Sequence, residues 1–131
     1  MKKIILLPLL VWGLACADDA NQTKQTQTMS NLVSAMATIQ KGMMYNDQSI
    51  VAKGVEEIKL NTKDISSFDI KNENGSSFKA KQYSATQALA IAKLSDDILI
   101  AFRKENRNRV LDTYRRMQNQ CMTCHALIRK W

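Results

Sequence analysis

The chain is poor in everything that interrupts a helix. Its 131 residues include four glycines and one proline, Pro8, and these two residue types are the costliest inside a helix. Cysteine is scarce as well. Three are present, too few for the disulfide scaffold of a small secreted fold. Histidine occurs once, as His125, so no pair of imidazoles is available for acid–base work. No nucleophile stands with a partner base, and an enzyme is not expected. Outside the N-terminus, no apolar run approaches the roughly 20 residues of a membrane span, so stable membrane insertion is not expected. The length allows one domain.

The N-terminus has the layout of a secretory signal. Lys2 and Lys3 precede an apolar run from Ile4 to Leu14, and Ala15-Cys16-Ala17 offers a small-x-small cleavage site. Cleavage after Ala17 divides the chain into a leader, residues 1–17, and a domain, residues 18–131. The alternative is a lipoprotein acylated at Cys16, but Gly13 stands where such signals carry an aliphatic residue. Either route places the protein outside the cytoplasm, and cleavage makes it periplasmic. Without the leader, 17 basic and 12 acidic side chains remain, a net +5. The cations are spread among the predicted helices instead of being interleaved with aromatics. Nucleic acid is therefore not an expected partner. An acidic redox protein would use such charge to speed encounter.

Apolar periodicity predicts four helices. After a polar lead-in over residues 18–28, Met29, Leu32, Val33, Met36, Ile39 and Met43 form one stripe, which ends near Gly42 and Asn46-Asp47. Asp47 can cap a second helix that carries Val51, Gly54, Val55 and Ile58 and stops near Asn61. The polar stretch 61–77 follows, with Ile65, Phe68 and Ile70 tucked against the bundle. The third helix is expected from Ser77 to Lys104. Its main stripe is Ala85, Ala88, Leu89, Ala92, Leu99 and Phe102, widened by Ile91, Leu94 and Ile98. Asn106 or Asn108 can cap the last helix, whose stripe is Val110, Tyr114, Met117, Cys121, Cys124, His125 and Ile128. Short connections make an all-α, antiparallel up-down-up-down four-helix bundle the economical fold.

The sharpest motif lies on that fourth stripe. Cys121-Met122-Thr123-Cys124-His125 is CxxCH, the attachment signature of a c-type haem. On a helix Cys121 lies one turn from Cys124 and His125, so all three project from one side. Each thiol can then join one vinyl group at the haem edge while the imidazole reaches iron. A zinc site needs about four ligands, and only three cluster here. A thioredoxin-type pair follows a strand, and nothing before Cys121 reads as one. Tyr114 and Met117 precede Cys121 on its face and are expected to pack against one covalently attached haem c.

Four amphipathic helices behind a cleaved leader, with CxxCH late in the fourth and basic Arg129 four residues on, resemble the class II cytochromes c, the cytochrome c′ family. The resemblance covers essentially the whole of residues 18–131 and is strongest over 119–130. It departs at Ile128, where the family often has an aromatic. The resemblance implies His125 as an axial iron ligand and Arg129 as a partner for a haem propionate. It also implies one of two behaviours. Low-spin relatives take a methionine from the first helix and carry single electrons. Members of the cytochrome c′ type keep a five-coordinate haem that binds NO or CO. Met29, in the N-terminal half of the first helix and on its inward stripe, is the best-placed methionine, Met36 is second, and an open position is the third option. The expectation is an electron-carrying monohaem cytochrome, with an acidic redox protein and a second copy of the chain, as a homodimer, as partners.

Overall fold

A computed structural model describes residues 15–68 and 80–129, except the side chains of 15–19, 21, 80, 128 and 129. Residues 1–14 of the expected leader, Ile70 and the side chain of Arg129 lie outside the described residues. Within them the chain forms four helices and no strand: α1 Ala15–Tyr45, α2 Gln48–Ile65, α3 Ala80–Arg103 and α4 Arg107–Arg129.

Two connections share one construction. Asn46 follows α1 with φ 52° and Glu105 follows α3 with φ 53°. In each, the next residue's N–H reaches five residues back: Asp47 to the Gly42 carbonyl at 2.9 Å, and Asn106 to the Ala101 carbonyl at 3.0 Å. This is the Schellman closure of a helix. The same next residue then caps the following helix. Asp47 Oδ1 accepts the Ser49 and Ile50 N–H groups at 2.8 and 3.2 Å, and Asn106 Oδ1 accepts the Arg109 N–H at 3.0 Å. Two residues thus stop one helix and start the next, as the polar pairs in the sequence predict.

α1 begins well before the expected Met29, and α2 runs one turn past Asn61. The two extensions support each other. Lys24 Nζ meets Asp64 at 3.2 Å, Asn31 donates to Asn61 at 3.0 Å, and Thr28, Thr62 and Ile65 are buried. No glycine or proline lies between residues 14 and 41, so the polar lead-in can stay helical once α2 supplies a partner. Further along, α1 and α2 touch backbone to side chain through glycine. A Cβ on Gly54 would stand 2.8 Å from the Ile39 nitrogen and 2.9 Å from the Ala35 carbonyl oxygen. One on Gly42 would stand 2.6 Å from the Val51 nitrogen.

One core joins all four helices, centred on Ala35, Ile39, Val51, Val55, Ile58, Ile98 and Met117. Ile65 and Phe68 close onto it, as expected. Ala88, Ile91, Ile98 and Leu99 of the expected α3 stripe are buried, but the face also takes in Ser84 and Ser95 and leaves Leu89 74% exposed. Serine at 84 and 95 hides part of this face from a reading based on apolar residues. Ser95 satisfies its hydroxyl on the Ala92 carbonyl at 2.7 Å, so burial there costs little.

α1 packs on α2, α2 on α3 and α3 on α4. Among the described residues, no Cα of α1 comes within 8 Å of one on α4. Helices packed directly lie about 8–10 Å apart axis to axis, so the α1–α4 seam is open.

Candidate functional site

The open seam holds a cavity of about 700 Å³, within the range of cofactor sites. α4 brings Tyr114, Cys121, Cys124 and His125 to it. Their spacing of seven, three and one places them on one face of the helix. α1 contributes Met29, Leu32, Val33 and Met36, and α2 and α3 close the floor with Ile65, Gln87 and Ile91. No Asp, Glu, Lys or Arg stands in the lining, and an apolar group suits this wall.

The two cysteines are unbridged and half-buried. Burial, and Cys124 beside it, push the Cys121 thiol up to about 11, and burial raises Cys124 as well. Both are therefore neutral thiols at pH 7. A thiol–disulfide exchange site works the other way, by lowering a cysteine pKa to form thiolate. His125 is half-buried beside them. Among the described residues, no three His, Cys, Asp or Glu side chains gather so as to hold a metal ion by themselves.

Two tyrosines flank the pair. Burial raises Tyr114, with Cys121 adding to the effect, and burial raises Tyr83 on α3, with Cys124 adding. The Tyr114 hydroxyl donates to the Met36 carbonyl at 3.2 Å and so crosses the seam from α4 to α1. Gln120 donates its amide to Gln87 Oε1 across α4 and α3, and Gln87 is 9% exposed.

Of the residues expected from sequence, Cys121, Cys124, His125, Met29 and Tyr114 come together around this cavity, with Met36 also in its wall. Met117 is not part of that wall. It is fully buried and fills the core. The Arg129 side chain is outside the described residues. Ile91 belongs to the widened α3 stripe expected from sequence, whereas Tyr83 and Gln87 lie outside it. All three stand on one face of α3, where the apolar pattern marks Ile91 but not the two polar residues.

No protein-family model matches the chain, and neither does any curated protein or solved structure.

Proposed function

We propose that this protein is an exported monohaem c-type cytochrome that carries single electrons, with its helices in an antiparallel up-down-up-down bundle. One observation carries the reading: an apolar cavity between α1 and α4 whose wall contains CxxCH and a methionine from the first helix. The contacts support the bundle arrangement. Lys24 pairs with Asp64, Asn31 with Asn61 and Gly54 with Ala35, a descending order on α2 as α1 ascends.

The residues fit the group. Cys121 and Cys124 would hold haem c by two thioether bonds, and His125 would bind its iron. When bound, haem supplies a one-electron couple between ferric and ferrous iron. The apolar wall limits water there, and ligand identity and burial set the potential. Register favours Met29 as the second residue that would bind iron. Tyr114 bonds to Met36, and Cys121 lies seven residues beyond Tyr114, about 10.5 Å along the helix. In an antiparallel pair the same step back along α1 leads from Met36 to Met29, level with Cys121. Met36 stays level with Tyr114, two turns from the cysteines. Leu32 and Val33 also stand in the α1 wall. If one of them faced iron, the site would be open and gas-binding.

The test is direct. After acid–acetone extraction, the mature chain should retain the added mass of one haem, and loss of that mass would refute attachment. The ferrous protein should be low-spin and slow to take carbon monoxide. Met29→Leu keeps size and apolarity, with a packing cost of roughly under 1.5 kcal/mol. It should convert the haem to a five-coordinate form that binds carbon monoxide and has a lower potential. An unchanged low-spin spectrum would reject Met29, and a wild-type haem that is already five-coordinate would favour the gas-binding reading.

A further inference from the structure

The α3–α4 connection is the most positively charged stretch of the molecule. Residues 103–116 contain six cations, Arg103, Lys104, Arg107, Arg109, Arg115 and Arg116, against two acids, Glu105 and Asp112, a net +4. All eight are exposed. Arg115 pairs with Asp112 at 2.9 Å, and the other five cations make no ion pair among the described residues. Arg103 ends α3, where a cation suits the dipole, but the cations that begin α4 do not support it. α4 has no acidic residue in its first turn, and Arg107 and Arg109 stand at the end whose dipole disfavours cations.

Large apolar side chains are exposed around the same corner. Ile100 is 47% and Leu111 62% exposed. The antiparallel arrangement proposed above brings the end of α1 here too. Tyr45 is nine residues from Met36, and Glu105 nine from Tyr114, both counted away from the cysteines. Tyr45 is 68% and Met44 77% exposed, and Lys41 lies over the Tyr45 ring at 5.7 Å. The fold thus brings unpaired cations that read in sequence as spread among helices together with exposed apolar and aromatic side chains at one tip.

We propose that this tip is a docking surface for anionic lipid headgroups, holding the protein on a membrane surface without insertion. Cations gain from the negative potential of such a surface. A tyrosine, methionine and leucine among them suit the headgroup boundary. No described helix is long and apolar enough to cross a membrane, which leaves surface contact. A redox partner is the less suitable occupant. Cys121 lies 14 residues along α4 from Arg107, about 21 Å, so a protein seated on the tip would be remote from the cavity. The proposal rests on the reading above for export and for the shared end of α1.

The test is co-sedimentation of the purified protein with phosphatidylcholine vesicles, with and without phosphatidylglycerol, at low and high salt. Pelleting is read from the polypeptide, and haem content from the visible spectrum of the same sample, so the two proposals stand or fall separately. The protein should pellet only with phosphatidylglycerol vesicles and be released by salt. Replacing Arg103, Lys104, Arg107 and Arg109 together by Gln should weaken binding on the order of a hundredfold or more, at about fivefold per charge. That variant should keep its helical circular dichroism, because all four are exposed. Lys93→Gln, an exposed cation of α3 away from the tip, should change binding by about fivefold at most. Equal pelleting on both vesicle types, or by the fourfold variant, would overturn the assignment. Absence of pelleting alongside retention on immobilised polyglutamate would overturn it in favour of an acidic protein.

Discussion

Glu105 holds a left-handed backbone, φ 53°, that costs a side-chain-bearing residue about 1–2 kcal/mol. Glycine would remove that cost while losing about 0.4–1 kcal/mol through the freer unfolded chain. It would also remove an acid from the negative end of the α3 dipole. Glu105→Gly should therefore raise the melting temperature by a few degrees, roughly 0.5–1 kcal/mol, in a thermal unfolding scan. Asn46→Gly should gain less, because asparagine tolerates this conformation. A lower melting temperature for Glu105→Gly would show that the Glu105 side chain holds the corner in some other way. Asp47 gives a pH-dependent test at the other corner. Its carboxylate accepts the Ser49 hydroxyl at 2.7 Å and the Ser49 and Ile50 N–H groups, and these bonds, the hydroxyl first, hold its pKa below the ordinary 3.8. A depressed carboxylate stabilises the fold above its unfolded value and loses that contribution as pH falls through the lower folded value. Asp47→Asn keeps a capping oxygen but has no proton to take up. The advantage of wild type over Asp47→Asn should shrink as pH drops below 3.8. A difference that stays constant with pH would sink the idea.

At the scale of the helices, α1 and α2 approach through glycine, and propensity and packing disagree there. Gly54→Ala should gain up to about 1 kcal/mol of helix propensity. The new methyl, however, would meet the Ile39 nitrogen at 2.8 Å and the Ala35 carbonyl oxygen at 2.9 Å, both backbone atoms that cannot swing away. Overpacking of this kind costs about 1–3 kcal/mol. Gly54→Ala should therefore lower stability in urea, and a gain would mean the helices slide apart cheaply. The sequence placed Gly54 on the inward face but could not show that backbone lay against it. Legibility followed the same division elsewhere. The corners were readable because Asn46-Asp47 and Asn106 act locally, on their own backbone. The core faces of α2 and α4 were readable because their buried positions are mostly apolar. The face of α3 was readable only in part: Ala88, Ile91, Ile98 and Leu99 are buried as expected, but Ser84 and Ser95 are buried too and Leu89 is exposed. The early start of α1 was hidden for a related reason: Lys24 gains its partner, Asp64, from α2, a contact no local pattern records. That Cys121, Cys124, His125 and Met29 line one cavity agrees with their spacing and register in sequence. Gln87 and Tyr83 reach it only through tertiary packing.

For the whole molecule, the open α1–α4 seam is the feature that most needs a physical explanation. A four-helix bundle gains its stability by burying an apolar stripe from every helix. Here the seam leaves Val33 69% and Met122 47% exposed, both in the cavity wall, and Tyr114 crosses the gap to the Met36 carbonyl at 3.2 Å. A haem seated there would bury this surface and tie α4 to α1 if Met29 ligates it. Cofactor and fold should then be coupled. Replacing both Cys121 and Cys124 by Ala removes the covalent anchors and should yield haem-free protein. Its stability should fall by on the order of 3 kcal/mol or more, the linkage expected when a tight ligand is lost. Tyr114→Phe separates this from a general core effect. It deletes one hydrogen bond, worth about 1 kcal/mol, and leaves the ring in place. In the haem-loaded protein two links would join α1 to α4, so its cost should be close to that value. In the haem-free double variant the hydroxyl is a main remaining tie across the seam, so its cost should be larger, and hydrogen exchange in α1 should quicken more than in α2. Equal melting temperatures with and without haem would show that the cavity is not where the group resides.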